Sequence, residues 1–314
     1  MRILYATDGS QGAVSALDLI VTSLAPDRFE HVEVVSVAPR PPSGRSVRPT
    51  GDPLAERPWE TGHRLAAEAA VQQAIDRLRA GGFVASGTIR VGHAAEQIVM
   101  VASEAGAHLI VLGSRGHSGP KRLLVGGVSG KVARYAVSPV LVVHGPPRIR
   151  QILVGYDGSS LAEEALRSLA ALPLPADAGV TVCFAYDAAP PLSSGIAPTM
   201  WHEVKAAYRE DLGQARAAAE SAVAEAAAWL TMAGRPASGR TVRGAPGEQL
   251  RLIANEIGAD LLIIGSRGLS AIERFLLGSV SASMLAHPPT SVLLVRRRPA
   301  RTGRGGTGWP GPGP

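Results

Sequence analysis

The chain is written twice. Residues 3–10, Ile3-Leu4-Tyr5-Ala6-Thr7-Asp8-Gly9-Ser10, recur as Ile152-Leu153-Val154-Gly155-Tyr156-Asp157-Gly158-Ser159, an offset of 149. Gly113-Ser114-Arg115-Gly116 recurs as Gly265-Ser266-Arg267-Gly268, an offset of 152. Two distant anchors at nearly equal offsets require tandem modules, each one structural unit. The seam falls near His144–Arg150, where Gly145-Pro146-Pro147 breaks regular structure. The expected extents are 1–146 and 149–297, with 298–314 as a tail.

Within each module short apolar runs alternate with helix-period segments. In module one the expected strands are Ile3–Thr7, His31–Ala38, Val84–Val91, Leu109–Leu112 and Val140–Val143. The expected helices run to about Leu24, over Arg64–Ala80, over Ala94–Ala105 and near Ser129–Ala136. Pro39–Trp59 is rich in Pro, Gly and Arg and reads as a loop. Module two repeats the pattern with a longer, alanine-rich second helix near His202–Met232. Alternating strands and helices imply an α/β fold with a parallel sheet covered on both faces. The near-continuous apolar strands agree with double-sided burial. Ligands of such sheets bind beyond the carboxyl ends of the strands. Asp157 and Gly265 lie at two such ends and share one crevice if their strands are neighbours.

The charge is concentrated at one end. The formal net charge of +6 includes five arginines and no acid in residues 296–314, which leaves +1 for the rest. A Gly/Pro-rich basic end reads as a solvated, disordered tail. Aromatic residues are 4% of the chain, too few for a base-stacking platform, so nucleic acid is not the expected partner. Cys183 is the sole cysteine and lies in an apolar run, a core residue rather than a redox or metal group. No apolar run approaches the roughly 20 residues of a membrane helix. The residues ahead of the first strand show no leader pattern, so none is expected. The expectation is a soluble cytoplasmic protein that does not engage membranes.

The glycine-rich segments carry the chemistry. In module two Gly265, Gly268, Gly278 and Ser279 give the spacing Gly-x2-Gly-x9-Gly-Ser directly after a buried strand. Glycines permit close backbone approach, and amides at a helix start attract anions. A phosphate cradle is the reading that the full spacing favours over an ordinary turn. Asp8 and Asp157 at the first strand ends either accept bonds from a ribose or base, or cap the next helix. Other chemistries fit less well. Gly130-Lys131 is not a P-loop, because Val125 and Val132 stand where Gly and Ser or Thr are needed. No Gly-x-Gly-x-x-Gly follows either first strand, and no histidine pair has metal-ligand spacing. No nucleophile elbow or Ser/His/Asp set is recognisable, so no catalytic residue is assigned.

Both modules resemble the universal stress protein family. The resemblance rests on Asp8-Gly9-Ser10 and Asp157-Gly158-Ser159, on the glycine motif, and on the closing runs Ser138–Val143 and Thr290–Val295. It implies a five-stranded parallel sheet of order 3-2-1-4-5 in each module and ATP binding where the motif is intact. By that resemblance Asp157 serves the adenosine end in module two. Gly265, Ser266, Arg267, Gly268, Gly278, Ser279, Val280 and Ser281 serve the phosphates, with Mg²⁺ accompanying them. Module one matches more weakly at Asp8, Gly113, Gly116, Gly126 and Ser129, but Gly127 stands where the motif has Ser or Thr. The lost hydroxyl predicts tighter binding by module two. Family members dimerise through their last strands, so the two modules are expected to form an intramolecular pseudo-dimer, with a homodimer as a higher assembly. The implied function is a regulatory ATP-binding stress protein with little or no turnover and an unidentified protein partner. A partner-binding protein with a vestigial nucleotide site and a weak ATPase are the alternatives.

Overall fold

The computed structural model describes residues 1–40, 58–114, 116, 127–186, 200–266 and 277–296. Module one runs β1 (Arg2–Ala6), α1 (Gln11–Ser23), β2 (His31–Ala38), α2 (Pro58–Ala80), β3 (Ala85–Val91), α3 (Ala94–Glu104), β4 (Leu109–Gly113), α4 (Gly127–Tyr135) and β5 (Val140–Val143). Module two runs β6 (Gln151–Gly155), α5 (Ser160–Ala171), β7 (Gly179–Tyr186), α6 (Trp201–Met232), β8 (Ala237–Arg243), α7 (Pro246–Glu256), β9 (Leu261–Gly265), α8 (Ser279–Ala286) and β10 (Ser291–Val295). Strand bounds agree with the sequence reading to within one or two residues. The exception among the elements is α2, which begins at Pro58 rather than near Arg64. Proline is favoured in the first turn of a helix because its missing N–H has no helical partner there. That signal was hidden inside a run that otherwise reads as loop.

The strands form one sheet in the order β3-β2-β1-β4-β5-β10-β9-β6-β7-β8. Each module therefore has the order 3-2-1-4-5, as the resemblance implied. Pairing within each module is parallel. The modules join where β5 and β10 pair antiparallel, with Val142 opposite Val292, Leu141 opposite Leu293 and Val140 opposite Leu294. The last strands thus cover each other's edges, which removes two exposed templates for aggregation. Because this one pairing is antiparallel, the strand carboxyl ends of the two modules open at opposite edges of the sheet.

Side-chain alternation carries both cores across the seam. Leu141, Val143, Leu293 and Val295 join the core that faces α1, α2, α5 and α6. Val140, Val142, Val292 and Leu294 join the core that faces α3, α4, α7 and α8. A period of two on a strand buried on both faces sends neighbours to opposite layers. Cys183 belongs to the second core, and burial pushes its thiol up to about 11, so it stays protonated and unreactive.

Polar contacts fix the seam further. The buried Ser291 hydroxyl accepts the His144 N–H at 3.1 Å and donates to the His144 carbonyl at 3.0 Å. The linker is held rather than loose: Thr22 and Ser23 of α1 donate to the Pro147 carbonyl, and Ile149 N–H returns to Ser23 Oγ. Arg296 donates to the carbonyls of Ala133 and Arg134 near the end of α4. Cations are favoured at a helix carboxyl end, where carbonyls lack partners. Arg296 therefore belongs to the folded body and not to the basic tail. Residues 297–314, which hold the remaining tail, lie outside the described residues.

Candidate functional site

β1 pairs with β4 in module one, and β6 pairs with β9 in module two. This places each Asp-Gly-Ser turn beside the glycine turn of its own module at the strand carboxyl ends. In module one the approach is close: a Cβ on Gly116 would overlap the Asp8 carboxylate. A Cβ on Gly113 would overlap the backbone of Gly12 and Ala13. That glycine is needed for α1 to lie against the end of β4, whether or not a ligand binds.

The Asp-Gly-Ser turn has a local job in both copies. Asp8 Oδ1 accepts the Ser10 N–H at 3.0 Å, and Asp157 Oδ1 accepts the Ser159 N–H at 3.0 Å. The serines then cap their helices: Ser10 Oγ accepts the Ala13 N–H and Ser159 Oγ accepts the Ala162 N–H. The intervening Gly9 and Gly158 have φ of 75° and 76°, a left-handed conformation that costs glycine nothing. The aspartate thus uses one oxygen on its own turn. Among the described residues no hydrogen bond is made to Asp157 Oδ2, and the residue is half-buried.

In module two, β9 ends in two carbonyls that would repel an anion. Both are covered. Gly278 N–H donates to the Ser266 carbonyl at 2.9 Å, and the Ser281 hydroxyl donates to the Gly265 carbonyl at 2.7 Å. Ser266 N–H meets Val295 O at 2.8 Å, which ties the turn to β10. Ser266 and Ser281 are both buried. The helix cap is Gly278, not Ser279, and no side chain caps the helix. The first backbone bond is from Ala282 N–H to Gly278 O. The N–H groups of Ser279, Val280 and Ser281 therefore lack intrahelical partners. Ser279 is exposed at the first helical position.

This sorting refines the residues chosen from sequence. Ser279, Val280 and Ser281 form the first turn of α8, with amides that have no intrahelical acceptor. The Gly278 amide and the Ser281 hydroxyl are engaged inside the protein. Arg267, Gly268 and Gly126 lie outside the described residues. Module one repeats the inward hydroxyl, with Ser129 Oγ donating to the Ser114 carbonyl at 3.2 Å. At its first helical position Gly127 has nothing within 4 Å of an added Cβ. Module one also has a cleft of about 380 Å³ lined by Ser10, Gln11, Ser15, Ser114, Gly116 and His144 among others. His144 escaped notice in the sequence because it sits at the seam. It is placed there by Ser291 of the other module.

Ser281→Ala is expected to lower stability by about 1–3 kcal/mol, because the Gly265 carbonyl loses its donor in a buried setting. Thermal denaturation checks this. An unchanged melting temperature with weakened anion binding would instead make the hydroxyl a ligand group.

The start of α7 packs against α8. The space beside Gly247 is bounded by Ser283 and Met284 of α8 at 3.7–3.9 Å. Gly244, which has φ of 131°, precedes α7 and donates its N–H to Tyr186 O at 2.9 Å. Gly247 thus packs against the helix that carries Ser279. Among the described residues no helix is long and apolar enough to cross a membrane.

Comparison with known proteins agrees with this architecture. A profile of the universal stress protein family matches residues 1–144 and again 148–296. A Staphylococcus aureus strain USA300 protein assigned to the universal stress proteins is 31% identical over 150 residues, which is 47% of this chain and 84% of that protein. The structure of a universal stress protein from Archaeoglobus fulgidus DSM 4304 aligns with a TM-score of 0.63 at 18% identity, over 94% of this chain and 98% of that one. A Pseudomonas aeruginosa PAO1 protein of unknown function aligns at 0.55 and 17% identity, over 94% and 92%. At those identities the structures establish the fold. The repeat, the strand order and the two profile matches together make this chain a tandem member of the universal stress protein family.

Proposed function

We propose that the chain is a nucleotide-dependent regulatory protein that holds one ATP in module two and turns it over slowly or not at all. The observation that carries this is the donor set at the start of α8. Three amides without helical partners open α8 beside the exposed Ser279, while the Gly265 and Ser266 carbonyls that would repel phosphate are already hydrogen-bonded. A helix amino end with free N–H groups favours phosphate through both hydrogen bonds and dipole. Asp157 Oδ2 supplies an acceptor for a ribose or base donor on the adjacent strand end.

The residues fit a nucleotide better than a bare metal. Among the described residues no group of three or more His, Cys, Asp or Glu side chains could hold a metal ion. Mg²⁺ would enter on the nucleotide phosphates rather than in a prepared protein site. Slow turnover follows from the absence of an identified general base in the motif. The bound nucleotide then acts as a ligand that changes which protein partner the chain meets, in the cytoplasm.

The test is to denature the purified protein and quantify released nucleotide by mass spectrometry. About one ATP per chain is expected. Two per chain would overturn the assignment to module two alone. No capture at millimolar ATP would overturn the nucleotide reading itself. Steady-state hydrolysis above about 1 s⁻¹, the low end for enzymes, would make the protein an ATPase.

A further inference from the structure

The sheet ends on β3 at one side and on β8 at the other. The repeat offset of 152 aligns these two strands residue by residue, yet their outer edges differ. Pro236 and Arg243 stand at β8 where β3 has Val84 and Val91. Proline and charge are the residues that blunt a sheet edge against pairing. Val84 and Val91 are instead apolar, and they are 63% and 58% exposed. The main chain of β3 is also set for a further strand. Gly92 N–H donates to the Ala38 carbonyl and the Val84 carbonyl accepts the Val32 N–H, so the even-numbered residues bond toward β2. Alternation then turns the N–H and C=O groups of Ala85, Gly87, Ile89 and Val91 away from the sheet.

We propose that β3 pairs antiparallel with β3 of a second copy, joining two ten-stranded sheets into one. The register that uses the whole strand is centred on Thr88. It sets Ala85 opposite Val91 and Gly87 opposite Ile89, once on each side of the axis. Each exposed Val91 is then covered, and each Ile89 meets a residue without a side chain. On the other face Ser86 lies opposite Arg90. Within its own copy Ser86 donates to the Glu33 carboxylate at 2.5 Å, and Thr88 donates to it as well. Arg90, which pairs with Glu104 in its own copy, therefore comes beside Glu33 of the other, and no like charges are opposed. The same register on β8 would set Arg240 directly opposite Arg240, a repulsive pair. A pairing of β3 with β8 would leave an open edge at each end and add chains without limit, whereas pairing of β3 with itself closes at two copies.

The test uses the full-length chain with single added cysteines. Cys183 is buried and does not compete. Thr88 faces itself across the two-fold axis, where antiparallel partners outside the hydrogen-bonded pairs lie about 4.5 Å apart at Cα, within disulfide reach. Ser86 is more exposed, but its two copies lie about 14 Å apart in this register. Thr88→Cys should therefore form a disulfide-linked dimer under mild oxidation at least about tenfold faster than Ser86→Cys. Equal rates for the two variants would overturn the proposal. As an independent readout, sedimentation of the parent chain should show a dimer. Val91→Lys gives β3 the charge that Arg243 gives β8, and it should weaken that dimer at least about tenfold with an unchanged melting curve. A parent chain that stays monomeric at the highest soluble concentration would overturn the proposal. So would species that grow beyond two copies, or a dimer indifferent to Val91→Lys.

Discussion

Ser279→Gly should weaken ATP binding by module two about 10- to 100-fold while leaving the fold intact. The side chain is exposed and makes no described contact within the protein, so its removal opens no cavity. What is lost is one hydroxyl donor to a charged acceptor, worth roughly 1.5–3 kcal/mol, which converts to the stated range of affinity. The amides of Ser279, Val280 and Ser281 remain, so binding is reduced and not abolished. A small loss of helix propensity at the first turn, under about 1 kcal/mol, accompanies the change. Calorimetric titration with ATP, alongside a melting curve, separates the two effects. Affinity within a factor of two of the parent would remove Ser279 from the site.

The chain contains the reverse experiment. Gly127 holds the same first helical position in α4, and an added Cβ meets nothing within 4 Å. Gly127→Ser should therefore fit without strain and strengthen module one by a similar factor. If the hydroxyl is what separates the two modules, this variant brings the nucleotide count toward two per chain. The two mouths open at opposite edges of the sheet, so filling one does not obstruct the other.

Most of the fold could be read from the repeat. Two copies of a strand, an Asp-Gly-Ser turn and a glycine motif set the module size, alternation pointed to parallel pairing, and the family resemblance implied the strand order. What escaped was direction. Spacing shows that serines stand at 279 and 281, but not that one faces solvent while the other donates to Gly265. It shows glycine at 278 but not that its N–H is bound to Ser266. Composition placed Arg296 in a basic tail because its neighbours are Arg297 and Arg298, although its guanidinium caps α4. Ser291 is fully buried and bonds the backbone of His144, which lines the cleft of the other module. Each of these is a long-range contact, invisible to local pattern. The pairing of β5 with β10 was legible for the opposite reason, since two uniformly apolar closing strands need a cover and each is the other's nearest match.

That pairing also carries the largest expected loss of stability, from Leu293→Asp. Leu293 is 1% exposed and faces Leu141 across the seam. Replacing it forfeits about 1.5–3 kcal/mol of apolar burial and places a carboxylate in an apolar layer, at a further cost of several kcal/mol unless it is protonated or the seam opens. The sum exceeds about 4 kcal/mol, a large fraction of the 5–15 kcal/mol typical of a folded domain. Opening the seam is the cheaper escape, because it returns the carboxylate to water while β1, β2, β3 and β4 keep their own ladder. The expected result is an increased radius of gyration in small-angle scattering with most helical circular dichroism retained, together with a lowered urea midpoint. Leu293→Met keeps the volume and should cost less than about 1.5 kcal/mol, which distinguishes a charge effect from a packing one. If the aspartate variant kept both the parental radius and the parental midpoint, β10 would not be what binds the modules. The seam would then rest on α1 and α5, where Ala25 N–H meets the Pro173 carbonyl at 3.3 Å.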